Sequence, residues 1–239
     1  MIQHLRFFLV ITAIAVITGC AGPGPKIDIP PRTLANVHTI AVIRSPEPKA
    51  YTAVNFGHPG MMFGLVGGLV VAADQNHKQS LLTEAIKKIN TVPTSDVLAE
   101  GIANQLTRRG FEVSVEDGPW EESDGKFNLD FEKITSSADA VLVVAPTIVG
   151  FVATGATKDY VPTITAVVTL LGKDRKNPIY RGFHASGWHP RGDDWRCSSP
   201  VVTTFGNFDA LMSDPAKTAN ALSDAATGIA VTVAEDLKR

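Results

Sequence analysis

Cysteine is almost missing from this 239-residue chain: Cys20 and Cys197 are its only two. A disulfide framework is therefore excluded, and once either thiol is chemically occupied no intramolecular bridge remains. An exported domain of this composition has to rely on its apolar core. An excess of charge of one sign is also missing. Lys and Arg number 22 against 24 Asp and Glu, a formal net charge of −2, and no basic stripe interrupts the balance. Nucleic acid is a poor partner for such a surface. Long apolar runs are absent beyond the amino terminus, which leaves the rest of the chain without a segment of about 20 residues able to span a bilayer.

Several catalytic and nucleotide motifs are absent as well. Glycines cluster at 57, 60, 64, 67 and 68, yet no Gly-Lys-Ser/Thr closes a phosphate loop and no Gly-x-Gly-x-x-Gly spacing forms. Ala185-Ser186-Gly187 lacks the glycine two residues before the serine that a nucleophile elbow needs. Asp and Glu are abundant but define no specific carboxylate pair.

What is present begins at residue 6. Arg6 precedes the apolar run 7–17, and Thr18-Gly19-Cys20 follows. A basic start, about 11 apolar residues and then small residues is the plan of an export signal. Ile17-Thr18-Gly19-Cys20 resembles the bacterial lipobox, in which a thiol accepts diacylglycerol through a thioether and small residues admit the backbone to the signal peptidase. An ordinary cleaved signal is the alternative, since Gly19-Cys20-Ala21 also offers small residues. The expectation is that 1–19 are removed and that Cys20 is the lipid attachment site, a diacylglycerol cysteine whose acyl chains (palmitate among them) partition into the membrane at about 0.8 kcal/mol per buried methylene. Cys197 is then a leftover thiol, a small residue in a loop or at a strand edge.

Residues 20–36 contain Gly22-Pro23-Gly24-Pro25 and Pro30-Pro31 and read as a lipidated tether that stands the domain off the membrane. The domain proper is expected over 37–239. Its first strand is 37–43, β-branched and stopped by Ser45-Pro46-Glu47-Pro48. A glycine-rich apolar insertion at about 55–73 follows, with Met61, Met62, Phe63, Leu65 and Leu69 as a candidate contact surface for self-association or membrane, or else a tightly packed buried helix. A polar helical stretch comes next, 74–89. A clear helix over 95–109 has Ser95 as cap, Leu98, Ile102 and Leu106 on one face, and Gly110 as left-handed stop. The strand 111–115 alternates, a polar loop holds Trp120, and 140–145 reads as a central strand apolar on both faces. Pro146 ends that strand or marks a bulge. Strands at 163–171 and 179–188 form a hairpin, and a last helix opens at Asp214-Pro215 with Leu222, Ala226, Ile229, Val233 and Leu237 inward. The fold class is α+β: a single mixed or antiparallel sheet with helices mainly on one face.

The lipobox, the strand Thr39-Ile40-Ala41-Val42-Ile43, the ending Arg108-Arg109-Gly110 before Phe111-Glu112-Val113, and Ala138-Asp139-Ala140-Val141-Leu142-Val143 before a hairpin and terminal helix together resemble a broad group of Gram-negative envelope lipoproteins. The group includes the curli secretion lipoprotein, the outer-membrane activators of peptidoglycan synthases, a polysaccharide-export lipoprotein and the amino-terminal domain of the Tol system's propeller protein. The likeness covers 37–43 and 97–239. It implies a non-catalytic adaptor, activator or oligomeric scaffold, and Cys20 is its only transferable functional residue. Ala21 and Gly22 in place of an aspartate after the lipid cysteine imply the periplasmic face of the outer membrane.

The competing expectation is an envelope hydrolase or metal-binding protein built on His184, His189, Asp193, Asp194 and Cys197, which are zinc-ligand types at a poor spacing. Trp188, Trp195, Phe205 and Phe208 read either as a glycan or protein contact or as core and edge packing. No cofactor is expected.

Overall fold

The computed structural model describes residues 24–238 except 31, 58–63, 90–91, 124–125, 156–157 and 200. In chain order the strands are β1 Thr39–Arg44, β2 Thr52–Asn55, β3 Glu112–Asp117, β4 Trp120–Ser123, β5 Lys126–Leu129, β6 Ala140–Ala153, β7 Val161–Leu171, β8 Pro178–Ser186 and β9 Trp195–Cys197. The helices are α1 Gly64–Ile89, α2 Thr94–Arg108, α3 Phe208–Ser213 and α4 Pro215–Asp236.

The run expected as a central strand becomes the spine of a 7-stranded mixed sheet ordered β3-β1-β6-β7-β8-β9, with β2 also on β6. Its length is what lets β6 serve two partners. β1 lies parallel to its first half and β2 parallel to its second, while β7 runs antiparallel along nearly all of it. Pro146 does not end the strand. The register shifts between Pro146 and Ile148, so Thr147 is the extra residue of a bulge, and its hydroxyl bonds that of Thr165 at 2.8 Å. Gly150, opposite Thr52, has φ 153°, and a Cβ there would overlap the Thr52 backbone.

All four helices take part in one layer on one face of the sheet. α2 and α4 contribute the expected apolar stripes, with Ile102, Leu106, Ile229, Val233 and Leu237 fully buried against Ile40, Leu142, Ile164 and Leu170. Asp214 caps α4 by accepting from Lys217 N at 3.0 Å, and Pro215 begins it, as expected. Gly110, at φ 89°, stops α2. The cap of α2 differs from expectation. Ser95 lies inside the helix and is buried; the acceptor at this end is the Glu47 carboxylate, which takes Thr94 N at 3.2 Å and Ser95 N at 2.9 Å. A second difference concerns α1. Residues 64–73 of the glycine segment and the polar helix expected after it are a single helix, and Val71, Leu82 and Ile86 anchor it in the domain.

The other face carries a smaller core of Ala41, Ile43, Val141, Val143 and Leu171. Its cover is the β4–β5 hairpin, where only a polar loop was expected. Trp120 and Leu129 turn inward, and Trp120 Nε1 donates to the Arg44 carbonyl at 2.7 Å.

Part of the expected tether is docked on the domain. Ile27 and Arg181 exchange two backbone bonds of 2.9 Å at the outer edge of β8, and Ile29 packs on the main core. Among the described residues no helix is long and apolar enough to cross a membrane.

Candidate functional site

The most concentrated chemistry in the described residues is a buried polar chain between β8 and α4. Strand alternation puts Tyr180, Gly182 and His184 on the helix-facing side of β8. One helical turn aligns Thr232 with Asp236 on α4. His184 is fully buried. Thr232 Oγ1 donates to the Ile229 carbonyl at 2.9 Å, so it accepts from His184 Nδ1 at 3.0 Å. This assigns the Nδ1–H tautomer of a neutral ring. Nε2 is then an acceptor and meets Tyr180 Oη at 2.7 Å, while the same Oη stands 2.9 Å from Asp236 Oδ2. One phenolic proton thus has two acceptors. Asp236 is satisfied from another side: Arg196 Nε and Nη2 each lie 2.8 Å from Oδ1.

Electrostatics follow from burial. Desolvation holds the His184 imidazole down to about 4, against the opposing pull of the Asp236 carboxylate. Burial, and then Asp236, push the Tyr180 phenol well above its ordinary range. A neutral His184 with both nitrogens on hydroxyls is neither a metal ligand nor a general base open to substrate. The arrangement ties the last turn of α4 to β8 and, through Arg196, to β9.

The residues expected as metal ligands are not brought together. His184 faces the helices. His189 stacks on Trp195 with ring centroids 6.2 Å apart, its Nδ1 lying 2.8 Å from the Pro190 carbonyl oxygen. Asp193 and Asp194 are exposed in the loop before β9, and Cys197 is exposed on β9 itself, at the strand edge expected for it. No group of three or more His, Cys, Asp or Glu among the described residues is placed to hold a metal. Ser186 is buried and accepts from Ser198 Oγ at 3.0 Å, with no imidazole partner in the described bonds.

The four aromatics do not form one patch. Phe205 is core, edge-on to Phe151, and Phe208 packs near Tyr160. Trp188 and Trp195 belong to the surface: Trp188 contacts the exposed Phe56 at 4.9 Å, and Trp195 contacts Phe183 at 5.7 Å. Met61, Met62 and Phe63 lie outside the described residues, as does Cys20. Of Leu65 and Leu69 only the helical backbone is described.

Open clefts also mark the surface among the described residues. One, of about 410 Å³, lies between α4 and the segment after β9, with Cys197, Ser198, Val202, Gly228 and Val231 among its walls. Another, of about 590 Å³, lies between the β4–β5 hairpin and the bulge of β6, lined by Pro46, Trp120, Phe127, Pro146 and Thr147.

Sequence reasoning missed Tyr180, Arg196, Thr232 and Asp236. Two signals were present: Tyr180 and His184 share a strand face, and Thr232 and Asp236 share a helix face. Which strand that helix covers was not written locally.

No protein-family profile and no curated protein sequence matches the chain. Solved structures do. The PelC dodecamer from Paraburkholderia phytofirmans aligns over 91% of this chain and 100% of that chain, at 13% identity and a TM-score of 0.38. A DUF330 protein from Xanthomonas campestris aligns over 88% and 90%, at 10% identity and a TM-score of 0.42. A single-residue variant of the same PelC dodecamer aligns over 84% and 95%, at 16% identity and a TM-score of 0.29.

Proposed function

We propose that this chain is a lipid-anchored, non-catalytic component of a bacterial envelope, held by Cys20 on the periplasmic face of the outer membrane and working through protein contacts. The observation that carries the reading is Ile17-Thr18-Gly19-Cys20 at the end of a short apolar run, only a few residues before a segment stitched to the domain by Ile27 and Arg181. A non-catalytic role is supported by the site geometry. The buried histidine spends both nitrogens on hydroxyl groups, and the other metal-ligand types are dispersed over an exposed loop and edge strand.

Its partners are envelope proteins of an assembly pathway, in secretion, polysaccharide export or cell-wall synthesis. The glycine-rich segment supplies self-association. That assignment is preferred to membrane contact because α1 belongs to the helix layer, whereas the tether passes over Arg181 on the opposite sheet face.

Metabolic lipid labelling and membrane fractionation test the reading. Wild-type protein should be acylated and float with outer membrane. Cys20→Ser should abolish labelling and leave uncleaved precursor or a soluble form. A Cys20→Ser protein that is still acylated, processed normally and recovered in outer membrane overturns it.

A further inference from the structure

The route of the tether around the sheet fixes which face of the domain meets the membrane. Toward the amino terminus, Ile29 packs on the helix-side core and Ile27 pairs with the edge of β8. Pro25 and Gly24 then lie against the Arg181 side chain, whose Nη1 donates to the Pro25 carbonyl at 3.3 Å. Arg181 and Phe183 alternate with Tyr180, Gly182 and His184 along β8 and so point away from the helices. The chain therefore rounds the sheet edge and departs over the non-helix face.

Very little chain remains beyond that point. Four Cα-to-Cα steps join Gly24 to Cys20, and fully extended they span about 14 Å. An acylated cysteine sits at headgroup level, so this corner of the sheet is confined to within roughly that distance of the bilayer.

The surface next to the exit is aromatic. Phe183 and Trp195, in register on β8 and β9, have ring centroids 5.7 Å apart, and His189 stacks on Trp195. Trp188 adjoins His189 in sequence and contacts Phe56, which is 45% exposed. Rings with an apolar body and a polar edge partition to the membrane–water interface. The intervening loop carries Arg191 with Asp193 and Asp194, one positive charge to two negative, so ring area and not charge supplies the attraction.

We propose that the mature protein lies with this non-helix corner on the bilayer, Trp188, His189, Trp195 and Phe183 resting in the headgroup zone of a phospholipid leaflet. The proposal rests on the acylation of Cys20 and adds an orientation to it. The helix layer and its cleft beside α4 then face the periplasm.

The test uses the full mature lipoprotein in phosphatidylcholine–phosphatidylglycerol vesicles with or without brominated acyl chains. Flotation is read first: a protein that does not float defeats the anchoring itself. For protein that floats, wild-type tryptophan emission should fall on bromolipid. The Trp188→Phe/Trp195→Phe variant, which keeps Trp120, should lose that quenching while retaining flotation and the wild-type circular dichroism spectrum. Vesicle-bound wild type whose emission is unchanged by bromine overturns the orientation, as does a folded double variant that keeps all of the quenching.

Discussion

Ser95 donates its backbone N–H to the carboxylate of Glu47, 48 residues upstream, at 2.9 Å. Thr94 N donates to the other oxygen of the same group, and the Tyr51 hydroxyl also bonds it. The first turn of α2 is thus capped by a loop between β1 and β2 rather than by its own sequence. Glu47→Ala leaves two helix-end donors without their acceptor and should lower unfolding free energy by about 1–2 kcal/mol. Glu47→Gln, which keeps one oxygen, should lose less. Urea denaturation of the three proteins checks the order.

His184 makes stability depend on pH. Its folded value, near 4, lies below the 6.5 of an exposed imidazole. Between these values the unfolded chain binds more protons than the native one. The contribution is therefore complete above about pH 6.5 and is lost as pH falls toward 4, by roughly 3 kcal/mol in all. Denaturation at pH 7.5 and at pH 4.5 should show a larger loss for wild type than for His184→Asn. Equal losses would show that the histidine is not held neutral.

Gly150 is required by the close approach of β2. In Gly150→Ala the added methyl meets the Thr52 backbone from a φ that L residues rarely adopt. The expected cost is about 1–3 kcal/mol. Amide exchange should speed first at the backbone groups of Thr52–Asn55.

Dispersed ligand types predict an indifferent response to zinc. Stoichiometric zinc should neither copurify with the mature protein nor raise its melting temperature. Tightly bound zinc that disappears in His184→Ala or His189→Ala would restore the metal reading and displace the one proposed.

Self-association through the glycine segment is tested at Leu65 and Leu69, four residues apart in α1. Changing both to Glu should abolish oligomers in sedimentation while the thermal midpoint stays near wild type. Unfolding instead would place both side chains in the core, where two charges cost several kcal/mol.

The parts of the fold that were legible in the sequence are those with local causes. The β6 run is apolar on both faces because both faces are covered, and Pro146 marks its bulge directly. Asp214-Pro215 and Gly110 set helix ends through their own backbone chemistry. The hairpin was hidden because Glu121, Glu122 and Ser123 are exposed, leaving Trp120 and Leu129 as the main inward signal. Glu47 was hidden by distance along the chain. For the site, His184 was singled out correctly as a strand residue, but its partners come from a helix whose docking on β8 depends on tertiary packing. Ile27 gave no warning of its pairing, since proline and glycine on both sides of it describe an unpaired chain equally well.

The occupation of the β8 edge by Ile27 and β9 gives the sheet a direction. On that side the hydrogen-bonding positions facing outward are taken up by two short segments of the same molecule, so an incoming strand finds no continuous template. On the far side, β3 has no strand neighbour beyond it among the described residues, and it bears Glu112, Glu116 and Asp117. Of the strands left open at an edge among the described residues β3 is the longest, so a strand extending the sheet there meets these carboxylates. Carboxylates along an open edge strand oppose the pairing of like copies edge to edge, and so oppose growth into fibrils.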